Sequence, residues 1–239
     1  MAAKLDWMFF PAYQLPPLYF GKSIVMLTQD VYYEYKYGSL PFRYRLSYRL
    51  FTNWAARFAT KILAISETSK KEVVRVYKIK PERIFVNYLG VNVGSAFATS
   101  FVKTSEVKKA TVRPLQTEDN YLLFVGQAFP RRHLKETILA FEKLSKDFPD
   151  FKLIVVGPDK YPEPTIKPLV AEVNKKLNRD AVIYEERVEK EELNSLYSDA
   201  KAVVYVSDRE AFGLPPMEGL AFGVPPVAMD NELGHELFQ

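Results

Sequence analysis

The chain has 239 residues, with 33 Lys and Arg against 29 Asp and Glu, two His and no Cys. Hydrophobic residues make up 48% and charged residues 26%, a folded globular composition that excludes disordered, collagenous and low-complexity classes. Without Cys there is no disulfide framework, thiolate metal site or cysteine nucleophile. His133 and His235 are too few for a His-rich metal cluster, and a net charge of +4 is too small to indicate nucleic acid.

No stretch reaches the roughly 18 apolar residues that span a bilayer. The start is apolar after Lys4 but broken by Pro11, Pro16 and Pro17, unlike a signal peptide, so the expected location is the cytoplasm. Strand-length apolar runs follow at Ile24–Leu27, Ile62–Ile65 and Ile84–Val86, which suit a sheet buried on both faces. Between the first two lies a helix-period stretch, Pro41–Lys61. After the second, Ser66 or Thr68 can cap a helix through Lys71, Val74 and Tyr77 that stops before Pro81. From Gly94 to Asn120 the chain is rich in Ala, Ser, Thr and Lys without periodicity and reads as a linker.

Beyond the linker, strand and helix alternate. Tyr121–Val125 is a strand, His133–Phe148 a helix and Leu153–Val156 a strand ending in Gly157-Pro158. Ile166–Leu177 is a helix with Pro168 in its first turn, and Val182–Tyr184 a strand. Lys190–Ser198 is a helix, Ala202–Val206 a strand, Pro215–Phe222 a helix and Pro226–Met229 a strand. Such alternation implies right-handed crossovers and a parallel sheet with helices on both faces. Ligands bind such sheets at the carboxyl ends of strands, so the loops after Val125, Val156, Tyr184 and Val206 are the candidate sites.

The loop Ser207–Glu218 is the most informative. Glu210 follows the strand, Gly213 permits close backbone approach, Pro215 opens a helix, and Glu218 is expected in its first turn. Backbone N–H groups from Phe212 through Gly213 to Leu214 can meet an anionic or hydroxyl-rich ligand at a helix N-terminus. A carboxylate can accept two sugar hydroxyls. The competing reading leaves Glu210 solvated and Glu218 complementing the helix dipole. Gly126-Gln127-Ala128-Phe129-Pro130-Arg131-Arg132 follows a strand and precedes a helix. Its two guanidiniums can clamp a diphosphate, or be a solvated basic turn; His133 reads as a helix-start residue.

On these residues the chain resembles the retaining glycosyltransferases of family 4. Glu210 to Glu218 resembles their E-x7-E element in the form E-x-F-G-L-P-x-x-E. Val125-Gly126 with Arg132 resembles their diphosphate loop, with Gln127 where many members have Arg. Ala64–Lys70 and Tyr88–Asn92 are similar to two N-domain landmarks. Val188–Leu193, with Leu196 and Tyr197, resembles the segment that contacts the donor base. The resemblance implies an α/β GT-B-like fold of two Rossmann-like parallel-sheet domains facing a cleft. Residues 1–98 would form an incomplete acceptor-side domain, 99–119 a linker and 120–239 the nucleotide-sugar domain, the chain being truncated at both ends. It implies that Glu218 binds the ribose, that Glu210 touches the donor sugar as the catalytic residue, and that Arg132, with Arg131 beside it, meets the diphosphate. No metal or cofactor is implied, because cationic side chains and helix N-termini neutralise the leaving group.

Two positions depart from the family pattern. Phe9 stands in place of His in the H-x-P element, and Gln29 in place of His in T-x-H-D; Gln can still donate a hydrogen bond. The stretch 42–61 carries Arg43, Arg45, Arg49, Arg57 and Lys61 and no acidic residue. Tyr44, Tyr48, Phe51, Trp54 and Phe58 lie between them. It suits peripheral contact with an anionic inner-membrane surface, or a helix that buries its aromatics and solvates its Arg heads. Nucleic acid is not an expected partner. The functional expectation is transfer of a hexose from a nucleotide sugar to a glycan or lipid-linked acceptor with retention, in cell-envelope polysaccharide synthesis. Its rival is a catalytically silent sugar-nucleotide-binding remnant that turns over donor poorly.

Overall fold

The structure, a computed structural model, describes residues 5–38, 40–91 and 120–238. The expected linker, Asn120 apart, lies outside the described residues, as does Asn92. The chain divides into two compact units. Unit 1 is Met1–Gly90 with Glu210–Phe212 and Asn231–Gln239; unit 2 is Val91–Arg209 with Gly213–Asp230. The sequence division kept 120–239 together, whereas two short stretches of it belong with the first ninety residues.

Unit 1 holds a four-stranded parallel sheet in sequential order: β1 (Met8–Phe10), β2 (Ser23–Met26), β3 (Lys61–Ala64) and β4 (Ile84–Val86). β1 and the helix α1 (Gln29–Tyr37) are not expected from the sequence. α1 is short and tyrosine-rich, with no clean apolar stripe, and its last carbonyls are held from outside. Arg45 Nε donates to the Tyr35 carbonyl at 2.7 Å and its Nη2 to the Lys36 carbonyl at 3.2 Å, which satisfies acceptors that a helix end leaves open. α2 runs Phe42–Phe58, so Lys61 of the predicted helix lies in β3 instead. α3 (Glu67–Tyr77) is capped by Ser66, whose Oγ accepts from the Ser69 N–H at 2.9 Å.

The core of unit 1 lies on one face of its sheet, where Val25, Ile62, Ala64 and Ile84 pack with Ala55, Ala56 and Ala59 and with Val73 of α3. The opposite face carries Ile24, Met26 and Leu63, half-buried, and Phe85, exposed. The expected burial on both faces therefore does not hold here: among the described residues of unit 1, no helix forms a buried cluster on that second face. A continuous apolar run does not reveal this, because the pleat sends alternate residues to opposite faces whichever of them is covered.

Unit 2 holds five parallel strands in the order β7-β6-β5-β8-β9: β5 (Tyr121–Val125), β6 (Lys152–Val156), β7 (Val182–Glu185), β8 (Ala202–Tyr205) and β9 (Pro226–Ala228). Its helices are α4 (Leu134–Leu144), α5 (Ile166–Leu177), α6 (Lys190–Asp199) and α7 (Leu214–Ala221). Here both faces are covered. Phe124, Leu153 and Val155 pack with Ile138 of α4 and Val173 of α5, while Leu123, Val125, Ile154 and Val203 pack with Leu196 and Tyr197 of α6. The final helix, α8 (Glu232–Phe238), belongs to unit 1.

Candidate functional site

In the unit 2 sheet the chain moves outward from β5 through β6 to β7, then returns to the other side of β5 for β8 and β9. The strand order reverses between β5 and β8. Open parallel sheets bind ligands at such a reversal, beyond the carboxyl ends of the strands, because the two flanking loops diverge there. The loops at this point are the two singled out in the sequence.

The β5 loop begins at Gly126, whose φ of 131° favours glycine; a Cβ there would lie 2.9 Å from Arg132 Nη1. Gly157, at the end of β6, has φ 140°, and a Cβ on it would collide with the Gly126 carbonyl. The two glycines let the loops after β5 and β6 run side by side, joined by the Ala128 N–H donating to the Pro158 carbonyl at 2.9 Å. Residues Pro130–Arg132 form one turn of 3-10 helix, and His133 follows in the left-handed region at φ 46° as the N-cap position of α4. His133 is thus a helix-start residue; its Nε2 lies 2.7 Å from Asp208 Oδ1. The Asp208 N–H donates to the Arg131 carbonyl at 3.0 Å, so the loops after β5 and β8 are tied twice.

The two arginines differ in placement. Arg132 reaches back over its own loop, with Nη1 donating to the Gln127 carbonyl at 3.1 Å and its guanidinium 5.4 Å from the Tyr205 ring at the end of β8. It therefore stands at the strand-order reversal, beside Gly126. The Arg131 guanidinium stacks on Phe129 at 4.4 Å. Gln127 is exposed.

Gly213, at φ 85°, occupies the N-cap position of α7, and Leu214 is the first helical residue. The helix thus starts one residue before Pro215, and Glu218 falls in the second turn rather than the first. A carboxylate there does little for the helix dipole, whose effect fades within a turn. Instead Glu218 Oε2 accepts the Tyr197 hydroxyl at 2.7 Å. Burial, and then this bond, push the Tyr197 phenol far above its ordinary value, so it remains a donor. Tyr197 also stacks on Phe222 at 5.7 Å, and Val188 packs against the same cluster. Glu218 is thereby oriented on a rigid aromatic support. Gly126, Arg132, Gly213 and Glu218 all belong to elements that bound the reversal in unit 2.

Glu210 and Phe212 belong to unit 1. Phe212 is 4% exposed and lies 6.4 Å from the Tyr88 ring, so its side chain is an anchor within unit 1. Sequence reasoning missed Asp159, whose carboxylate accepts from the N–H groups of Tyr161, Thr165 and Ile166 at 2.7 to 2.9 Å and so caps α5. A cap seven residues ahead of its helix leaves no short-range sequence signal. It also missed Tyr205, visible only as the last aromatic of a strand.

The family model described as Glycosyl transferases group 1 matches residues 107–239, more than half of the chain. The chain belongs to this family. It is 28% identical over 195 residues to the O-antigen chain mannosyltransferase RfbU of Salmonella typhimurium, covering 81% of this chain and 48% of RfbU. Among solved structures, Anabaena HepE in complex with UDP-glucose matches with a TM-score of 0.65 at 17% identity, over 92% of this chain and 56% of HepE. WaaG, a glycosyltransferase involved in lipopolysaccharide biosynthesis, matches with 0.64 at 19%, over 98% of this chain and 62% of WaaG. The chain thus spans about half the length of the curated relative, and its fold is that of GT-B glycosyltransferases.

Proposed function

We propose that the chain serves transfer of a hexose from a nucleotide sugar to a glycan or lipid-linked acceptor, with retention and without a metal. The observation that carries this is the pairing, in one unit, of a guanidinium and a supported carboxylate at the strand-order reversal. Arg132 supplies a cation for a diphosphate, and the free oxygen of Glu218 an acceptor for ribose hydroxyls. Glu210 is the residue that meets the donor sugar. Charge develops on the leaving diphosphate, so fixed cations and N–H groups there lower the barrier more than a general base would. RfbU is named a mannosyltransferase, so mannose-bearing nucleotide sugars head the donor panel. Incubating the chain with nucleotide sugars and glycan or lipid-linked acceptors, and following nucleoside diphosphate release, tests the reading. Acceptor-dependent release supports transfer; donor binding without release favours the silent donor-binding form, and absence of nucleotide binding sinks both.

The silent form has its own observation: the Gln29 amide is buried and engaged, where a protonatable group is expected from the resemblance.

A cytoplasmic location at the inner membrane surface belongs to the same reading. α2 buries Thr52, Ala55 and Ala56, packs Trp54 against the core, and leaves Phe42 at 77%, Leu50 at 60% and Phe58 at 56% exposed, so its aromatics divide between core and surface. Arg43, Arg49 and Arg57 are exposed on the same helix, with no carboxylate among them. Exposed apolar side chains with interleaved guanidiniums suit an anionic lipid interface. Binding to vesicles with anionic lipid, lost in Phe42→Ser/Leu50→Ser and absent on neutral vesicles, is the expected result. Equal binding by the variant would remove α2 from the contact.

A further inference from the structure

We infer that Gln29 is a positioning residue for Glu210, acting with Ser66 and Ser69 as an uncharged clamp on the backbone that carries the Glu210 carboxylate. The inference rests on the donor-site reading of Glu210 given above.

The observations are a closed set of hydrogen bonds among buried groups. Gln29 is 3% exposed, and Ser66 and Ser69 are fully buried. The Ser69 hydroxyl donates to Gln29 Oε1 at 2.7 Å, which orients the amide. Gln29 Nε2 then donates to the Glu210 carbonyl at 3.1 Å. The Ser66 hydroxyl donates to the next carbonyl, that of Ala211, at 2.8 Å, while accepting from the Ser69 N–H at 2.9 Å. Two consecutive carbonyls are gripped in this way. The two gripped planes flank Ala211, and the first of them also contains the Glu210 Cα. With Ala211 and Phe212 buried beside them, the clamp holds one of the two peptide planes that meet at that Cα and narrows the direction of the Glu210 side chain.

A primary amide suits this task. It presents one acceptor to Ser69 and one donor to Glu210 at every pH, whereas an imidazole would change charge between pH 5 and 8 inside a buried site. Partly satisfied buried networks are costly, so each member depends on the others. The clamp therefore makes the direction of Glu210 independent of pH, and no bond is made or broken by Gln29 itself.

The test uses Gln29→Ala and Gln29→Glu in the full chain, each first shown to retain the parent melting temperature within a few degrees. In Gln29→Ala, hydrogen exchange across residues 208–214 should quicken while exchange in β5 to β7 stays as in the parent. Affinity for a nucleotide sugar should fall about tenfold, the effect of about one hydrogen bond, with affinity for the nucleoside diphosphate alone unchanged. Gln29→Glu should behave like Gln29→Ala at pH 8, because a carboxylate cannot donate to the Glu210 carbonyl. It should recover at pH 5, since burial raises its pKa and the protonated form donates again. Unchanged exchange across 208–214, equal loss for both ligands, or a Gln29→Glu variant indifferent to pH would overturn the inference. Faster exchange in a chain whose parent binds no nucleotide sugar would support the clamp and overturn the donor-site reading instead. If Gln29→Ala fails to fold, the pH response of Gln29→Glu carries the decision.

Discussion

The two sheets are both parallel and both built from short apolar strands, yet they bury themselves differently. The five strands of unit 2 are covered on both faces, and their order reverses once, between β5 and β8. The four strands of unit 1 run in sequential order with a buried cluster on one face. The difference separates two uses of polar groups. In unit 2 the reversal opens space between loops, and Arg132 and Glu218 stand beside it. In unit 1 the buried side chains of Gln29, Ser66 and Ser69 bond to one another and to the backbone of residues 69, 210 and 211. Of the residues proposed for recognition, Arg132 and Glu218 lie in unit 2, while Glu210 and the network that holds its backbone lie in unit 1.

The largest effect should come from the sheets themselves. Leu123→Ala, in the doubly covered sheet, should destabilise unit 2 by about 2–5 kcal/mol, the range for truncating a buried Leu. Leu63→Ala, on the half-open face of unit 1, should cost roughly 1 kcal/mol, because less surface returns to water. Chemical unfolding of both variants checks this, and equal losses would erase the contrast between the sheets.

The contrast in ligand capacity comes next. Glu218→Ala should weaken nucleotide-sugar binding by about 1.5–3 kcal/mol, as expected for hydrogen bonds to a charged group. Arg132→Ala should weaken a nucleoside diphosphate by roughly 1–2 kcal/mol more than the bare nucleoside, on the proposed contact of its guanidinium with phosphate. Calorimetry with the two ligands reads this difference; parallel losses would take Arg132 out of the diphosphate site.

The smallest effect concerns one capping carboxylate in each unit. Burial acts to raise Asp159, but the N–H groups of Ile166, Tyr161 and Thr165 outweigh it and hold it below its ordinary value. Burial likewise acts to raise Glu236, which Thr68, through its hydroxyl and N–H, the Glu67 N–H and the Tyr88 hydroxyl hold low. A folded pKa below the unfolded one means stability that is present above the unfolded value, about 4, and is lost as pH falls through the folded value. Asp159→Ala and Glu236→Ala should each cost about 1 kcal/mol at pH 7, typical of a lost cap, and less at pH 3. Denaturant titrations at both pH values decide it. A loss that does not shrink in acid would show that the carboxylate charge is not what matters.

Much of unit 2 was legible in the sequence because its strands are bounded by glycine and proline and its helices carry clear apolar stripes. Ile166–Leu177 is observed with the bounds expected for it. Unit 1 was less legible. β1 is three residues long, and α1 relies on Arg45 to finish it. Of the site, the residue types and loops around Gly126, Arg132 and Glu218 could be read from spacing and resemblance, but their supports could not. Tyr197 lies 21 residues from Glu218, and Gln29 lies 181 from Glu210, beyond any local pattern. Gln29 read as a loss for that reason: its partners appear only once the chain has folded.

The Glu236 cap has a consequence for how the molecule is made. Its carboxylate accepts the Glu67 N–H, 169 residues away, at 2.6 Å and the Thr68 N–H at 2.8 Å. A growing chain emerges at about 5–20 residues per second and tends to fold from its N-terminal end. Strands β1 to β4 can zip in order as they appear, since each pairs with its predecessor. The first turn of α3 nevertheless waits some ten seconds or more, at those rates, for its last ligand to be synthesised. Residues 210–212, which are made slightly earlier, meet Gln29 and Ser66 from the first stretch only after some 145 to 181 residues of chain. The described parts of unit 1 thus lie on both sides of most of unit 2 in the chain, so they are synthesised in two stages with most of unit 2 between them.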